Sequence, residues 1–216
     1  MPDPAQLALY TAAALLLAVT PGPGIFYVAA RTLAGGREEG VASSLGTGLG
    51  GMVHVLAGSL GVSAILLASA EFFTALKLIG AAYLVWIGVR TIQAARRDAT
   101  AATGAASPAP AIGARRAFRE GVLVEAMNPK TAAFFLAFVP QFVDPAKGQV
   151  ALQFVLLGSV SVALNTLADI AVAFAAGRLR QGAASRPALI RRLREASGAA
   201  MVALGLGLAL ARRPSA

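Results

Sequence analysis

Long apolar blocks separated by short polar or cationic stretches divide the chain into six segments, roughly 5–32, 41–69, 72–93, 118–142, 150–177 and 195–211. A helix rises about 1.5 Å per residue, so about 20 apolar residues cross the hydrocarbon of a bilayer. Each block therefore predicts a membrane-spanning helix. The last is short, bounded by Glu195 and Arg212, while 41–69 and 150–177 exceed the need and predict tilt or extension beyond the lipid. No Lys or Arg precedes the apolar run Leu7–Val19, and apolar character resumes from Ile25 to Ala30. A secretory signal needs a positive start, so the pattern predicts a retained span interrupted partway.

Two of the blocks are broken by proline: Thr20-Pro21-Gly22-Pro23-Gly24 in the first and Asn128-Pro129-Lys130 in the fourth. Proline lacks an amide hydrogen and clashes with the preceding turn, which frees carbonyls and amides that hydrocarbon cannot satisfy. Such backbone persists only beside protein or a cavity. Paired interrupted spans in the two halves of a membrane protein are the pattern of a secondary transporter with its site at the bilayer midplane. A null alternative, prolines that merely kink the helix, stays open here.

Positive charges set the orientation, because short cytoplasmic loops carry the Lys/Arg excess. Arg31 and Arg37 follow the first block, and Arg90, Arg96, Arg97, Arg115, Arg116 and Arg119 follow the third. Arg178, Arg180, Arg186, Arg191, Arg192 and Arg194 follow the fifth, making fourteen of the 19 cations on one side. Lys77, Lys147, Arg212 and Arg213 fall on the other side, and Lys130 lies inside a span. Both termini are thereby expected on the outer face. The stretch 98–114, rich in Ala, Thr, Gly, Ser and Pro, reads as a flexible cytoplasmic linker. It separates a first three-helix repeat, 1–97, from a second, 115–216. Three spans in each set force the two to run oppositely, so the expected fold class is an all-α integral membrane protein of two inverted three-helix repeats, each opening with a broken helix.

Composition narrows the class further. The chain of 216 residues is 57% hydrophobic and 13% charged, against about a quarter charged in soluble domains. A net charge of +9 suggests nucleic acid only if it gathers on one surface, and here it sits in clusters between apolar runs. The absence of cysteine removes disulfides, thiolate metal sites and dithiol chemistry. With a single histidine, carriage of a metal ion or of a disulfide reductant has no ligand or redox set to work with.

Few polar groups fall inside the spans. Gly46, Gly50, His54 and Gly58 recur every fourth residue and so share a helix face that lets another backbone approach. The His54 imidazole then points toward protein, either packed on a carbonyl or acting on substrate or proton. Asp169, with Asn165 one turn earlier on the same face, lies roughly 8 Å to the cytoplasmic side of its span's middle. It fits a proton carrier or a water-accessible structural group. Glu125 precedes the second break by one turn and Lys130 follows it, either as a mutually neutralising latch or as binding groups. Glu120 and Arg119 lie nearer the interface, Lys77 is expected to snorkel from the start of the third span, and Trp86 and Tyr83 to pack or anchor that span. At the first break Gly22 and Gly24 leave room for close approach, and the half-helix from Gly24 presents free amides to an anion such as a carboxylate.

The chain resembles the lysine exporter (LysE) and homoserine/threonine exporter (RhtB) family of bacterial amino-acid efflux proteins. The resemblance rests on Thr20-Pro-Gly-Pro, Gly-Thr-Gly-Leu-Gly-Gly-Met-Val-His at 46–54, Leu-Lys-Leu-Ile-Gly-Ala-Ala-Tyr-Leu at 76–84, Phe118-Arg-Glu-Gly, Asn128-Pro-Lys, and Phe-Leu-Ala-Phe-Val-Pro-Gln-Phe at 135–142. These cover most of the first four spans; the last two match mainly in hydropathy. The resemblance implies a nonenzymatic efflux transporter in the cytoplasmic membrane, without cofactor or metal, exchanging an amino acid or close derivative for protons. No phosphate-binding Gly-Lys-Ser/Thr loop contradicts this. With the two breaks forming a midplane site, the expected substrate-binding residues are Thr20, Pro21, Gly22, Pro23, Gly24, His54, Asn128, Pro129 and Lys130, with Glu125, Asp169 and His54 as candidates for the coupling proton. Where family members often carry Asp or Asn this chain has Gly24, and where they tend to carry Asn it has Glu125. Another small solute, or a nontransporting scaffold that uses the glycine face for a homodimer, remains the alternative.

Overall fold

In a computed structural model the described residues are 4–68, 70–101, 110–179 and 187–210. The middle of the expected linker, 102–109, and the cations Arg180, Arg186, Arg212 and Arg213 lie outside them. The described residues form helices: α1 (Pro4–Val19), α2 (Pro23–Gly35), α3 (Arg37–Ala68), α4 (Ala70–Ala101), α5 (Ala114–Ala126), α6 (Pro129–Ala133), α7 (Val150–Leu179) and α8 (Pro187–Leu210). No strand occurs among them. Within these, Arg37–Gly61, Lys77–Arg97 and Val150–Arg178 are long and apolar enough to cross a membrane. Two bent pairs raise the number to five: α1 with α2, bent by 46°, and α5 with the segment Pro129–Phe142, bent by 43°. Of the expected sixth span, 195–211, residues 195–210 lie in α8. That helix is less suited to lipid, because Arg191, Arg192, Arg194 and Glu195 charge its first turns.

Each bend is where the sequence places proline. Pro23 occupies the first turn of α2, whose missing amide hydrogen costs nothing there, and Pro129 does the same for α6. Beyond α6 the chain widens into a π-helical turn, Phe134–Phe138, then tightens into a 3-10 turn, Val139–Phe142. Pro140 explains the change, since it offers no amide to the carbonyl of Leu136.

α3 runs between α5 and α7, with glycines on both contact faces. A Cβ on Gly46 would strike the Phe118 carbonyl, and one on Gly50 would lie 2.5 Å from Val122 O and 2.9 Å from Glu125 Cβ. On the other face Gly48 meets Thr166 and Gly51 meets Val162. The stripe read from the sequence thus admits α5 of the same chain, which leaves that part of it covered and unavailable to a second copy. A separate pairing joins α4 to α8, where Gly205 packs on the Ala81 carbonyl.

The largest buried cluster is aromatic. Tyr10 from α1 meets Phe142 edge-on at 5.2 Å between centroids, Phe138 lies 5.0 Å from both Phe134 and Phe142, and all pack with Phe154 from α7. The Tyr10 hydroxyl donates to Leu157 O at 2.7 Å; having one hydrogen, it accepts from Ser161 Oγ at 2.5 Å. Outside this core Tyr83 stacks on Trp86 at 5.7 Å, and Arg90 lies over the indole at 5.2 Å. Lys77 differs from expectation: it is buried, 8% exposed, because α4 begins seven residues earlier and carries it two turns inside.

The α3–α5 crossing yields a stability test. Gly50→Ala should lower the thermal midpoint of the purified protein, since crowding two backbones costs about 1–3 kcal/mol, more than the ~1 kcal/mol that alanine gains in a helix. Gly61, with nothing within 4 Å of a built Cβ, should tolerate alanine with no loss.

Candidate functional site

At the first break Pro21 offers no amide to Leu17 O, which keeps the Thr20 amide at 3.1 Å, and the last carbonyls of α1 are left short of donors. Lys130 fills that need from the other half of the chain: its ammonium donates to Thr20 O at 2.9 Å and Leu17 O at 3.2 Å. The side chain is 4% exposed. Gly22 makes its path, because a Cβ there would lie 3.2 Å from Lys130 Nζ and 3.3 Å from Cδ and Cε. Thr20 turns its own hydroxyl back to Leu16 O at 2.5 Å.

Glu125 answers the opposite end of the same break. A Cβ on Gly24 would lie 2.8 Å from Glu125 Oε2, so the missing side chain admits the carboxylate beside the first turn of α2. No side chain caps that helix by hydrogen bond, and the nearby negative charge complements its dipole instead. The carboxylate is held by Asn128 Nδ2 at 2.9 Å on Oε2 and by Thr131 Oγ1 at 2.6 Å on Oε1. Among the described residues Glu125 and Lys130 form no direct ion pair. They serve the two ends of one break rather than latching to each other.

The second break is closed as thoroughly. Asn128 Oδ1 accepts from Lys130 N at 3.0 Å and caps α6. His54 Nε2 lies 2.9 Å from Glu125 O; a carbonyl only accepts, so that nitrogen carries the hydrogen. The imidazole also stacks on Phe135 at 6.0 Å. Of the two roles left open for His54, the packed histidine on a carbonyl is the geometry found.

Asp169 on α7 is fully buried, at 0% exposure, which corrects the water-accessible placement. The cause is the glycine face of α3, which draws α7 close. Its Oδ2 lies 2.7 Å from Thr47 Oγ1, while Oδ1 has no hydrogen-bond partner.

Between these groups lies a cavity of ≈ 20 Å³, measured as space for the centre of a water molecule, enough for about one water. Its polar wall is Thr47, Glu125, Thr131, Ser161 and Asn165, and Leu17 and Phe134 close the apolar side. Of the residues expected to form the site, Glu125 faces this cavity. Thr20, Pro21, Gly22, Pro23, Gly24, Asn128, Pro129, Lys130 and His54 form the surrounding frame. Thr47, Thr131 and Ser161 were missed by sequence reasoning; the available signal was a hydroxyl within an otherwise apolar span.

A second network joins α2 and α3 to the start of α5. Glu39, 3% exposed, accepts from the amides of Ile112 and Gly113, each at 2.7 Å, and Arg31 lies 3.9 Å away. The Tyr27 hydroxyl sits 3.0 Å from Ala117 O and 3.3 Å from Glu120, which Arg116 holds at 2.7 Å.

Comparison with known proteins places this frame. An uncharacterised membrane protein of Pseudomonas aeruginosa is 31% identical over 202 residues, 94% of each chain. The homoserine/homoserine lactone efflux protein of Salmonella typhimurium is 30% identical over 205 residues, 94% of this chain and 95% of its own. The leucine efflux protein of Klebsiella pneumoniae is 28% identical over 137 residues, 62% of each. No solved structure matches. The family model described as LysE type translocator matches residues 15–212. With that match spanning nearly the whole chain, the protein belongs to the LysE type translocator family.

Proposed function

We propose that the chain is a secondary exporter of an amino acid or close derivative across the bacterial cytoplasmic membrane, driven by exchange with protons. The observation that carries this reading is the pair of interrupted helices meeting beside one small cavity, with Lys130 and Glu125 from the second break serving the two ends of the first. A midplane site bounded by two broken spans is the arrangement expected of alternating access. The cavity holds about a water, so the conformation described is a closed one, and a solute requires the two halves to part.

Several features support the finer points. α3 packs with α7 and α4 with α8, the pairing expected if 1–97 and 115–216 are inverted repeats related by a two-fold axis, with α8 as the sixth span. The cationic ends then face the cytoplasm and both termini face outward. On this reading the Glu39 and Tyr27 network closes the cytoplasmic side and the Tyr10 aromatic cluster closes the outer side. The relatives' names, homoserine/homoserine lactone efflux and leucine efflux, suggest a small α-amino compound as cargo. Lys130 in this scheme holds the first break, and the cargo meets Glu125, Thr131, Thr47, Ser161 and Asn165.

Two experiments test the proposal. Proteoliposomes containing the purified chain should move labelled leucine or homoserine faster with an imposed pH gradient than with the gradient collapsed. Pro21→Ala with Pro23→Ala should abolish that flux at matched protein abundance. Equal rates with and without the gradient would remove proton exchange, and undiminished flux in the double variant would remove the broken-helix site.

Lys130 separates framework from cargo contact. Lys130→Met takes the ammonium from the carbonyls of Thr20 and Leu17, of which Leu17 O keeps the Thr20 amide; a buried acceptor left unpaired costs about 1–3 kcal/mol, so the thermal midpoint should fall by several degrees. Gly22→Ala should do the same by crowding the lysine chain. A midpoint unchanged in both, with flux lost, would return Lys130 to the binding site.

A further inference from the structure

Resting on the exporter reading for its coupling role, we propose that Asp169 carries the transported proton and that Thr47 passes it to the central cavity. The argument begins with a count of hydrogens. Thr47 Oγ1 lies 2.9 Å from Ser44 O and 2.7 Å from Asp169 Oδ2, both with hydrogen-bonding geometry. A hydroxyl has one hydrogen and the Ser44 carbonyl has none to give. If Asp169 were a carboxylate, one of these contacts would set two lone pairs against each other. The pair is satisfied when Asp169 Oδ2–H donates to Thr47 Oγ1 and Thr47 donates to Ser44 O.

The other oxygen of the carboxyl points the same way. Asp169 Oδ1 is buried with no hydrogen-bond partner among the described residues. As half of a carboxylate it would be a desolvated anionic oxygen, whereas in the acid it is a neutral carbonyl oxygen, far cheaper to bury. The two other proton candidates differ. Both Glu125 oxygens accept from neutral donors, Asn128 and Thr131, beside the positive end of α2. The His54 N–H is committed to Glu125 O.

The surroundings allow the proton to leave. Charged groups bearing on Asp169 are Glu125 on α5 and Lys130 on α6; α3 faces it with Thr47 and Ser44. Further along α7, Arg37 from the start of α3 lies against Gly177, and Thr32 from α2 lies at the level of Ala173. Thr47 lines the cavity on its other side, with Asn165 one turn before Asp169. In release, Thr47 turns its hydrogen from Ser44 O to a cavity water and yields it there as Oγ1 takes the proton from the breaking Asp169 Oδ2–H bond. That water becomes hydronium and Asp169 a carboxylate, to which the remaining Thr47 hydrogen then points. A carboxylate left in this enclosure favours opening to solvent. Proton binding would favour closure, and this is the coupling an exchanger requires.

The test reads protonation and transport separately. Infrared difference spectra of the purified full chain, native minus Asp169→Asn at neutral pH, should contain the carbonyl band of a buried carboxylic acid that shifts in deuterium oxide. Thr47→Ser should keep the band where it is, and Thr47→Val should displace it. Absence of the band would overturn the assignment, whatever the transport result. In proteoliposomes loaded with labelled leucine or homoserine, Asp169→Asn should make flux equal with and without the pH gradient. Thr47→Val should slow gradient-driven flux about 10-fold or more, the scale of losing a hydrogen bond to a charged group, and Thr47→Ser should restore it. Gradient-driven flux persisting in Asp169→Asn, or following sodium instead, would overturn the coupling role. A band present in a protein that moves neither probe would leave Asp169 protonated and overturn coupling together with the exporter reading.

Discussion

The structure depends on satisfying backbone groups that two prolines set free inside an apolar interior. In hydrocarbon an unpaired amide or carbonyl costs several kcal/mol, so each broken end needs a partner. The partners come mostly across the molecule. Lys130, next to the second break, donates to the carbonyls before the first, and Glu125, also next to the second, lies beside the amides after the first. His54 from α3 covers the carbonyl at which α5 ends, and Asn128 caps α6 from within. The glycines follow from this scheme. Gly22 and Gly24 are the places where a side chain would block Lys130 and Glu125, and Gly50 is where α3 comes close enough to deliver His54.

Much of this was legible in the chain because the signals are local. Proline positions located the bends, the four-residue glycine spacing marked a close-approach face on α3 without naming α5 as its partner, and apolar length located the long helices. Charge substitution at the break was legible too: glycine at 24 and a carboxylate at 125 stood out together, and they prove to be neighbours. Direction of use was not legible. Lys130 and Glu125 read as a mutual latch or as ligands for cargo, because one-dimensional spacing cannot show that a side chain reaches a backbone 113 positions away. Asp169 was placed by depth along its helix, yet burial depends on which helix lies across it. Lys77 failed for a related reason, since its exposure hinged on where α4 begins.

The polar interior has two tiers. The frame of Lys130, Asn128, Glu125 and His54 has its hydrogen bonds filled, and removing one member leaves its partner stranded, so it favours a single arrangement. The Thr47–Asp169 pair is different: it lacks a partner on one oxygen and adjoins the cavity. A molecule that must keep its shape while one group changes charge is served by this division. The closed frame resists disorder, and the open-ended pair is where the proposed proton would act.

The long reach of Lys130 also has a consequence for synthesis. Its ammonium meets Leu17 O across 113 residues of sequence, which a ribosome working at about 5–20 residues per second needs roughly 6–23 s to add. Until then the first bend lies within a partly made chain without its ammonium, Thr20 alone answering the carbonyls of Leu16 and Leu17, and water, lipid headgroups or the insertion machinery must stand in. The N-terminal half therefore cannot settle into its final form as it emerges. Birth order and assembly order are opposed in this protein, and its first bend is completed only after the second has been made.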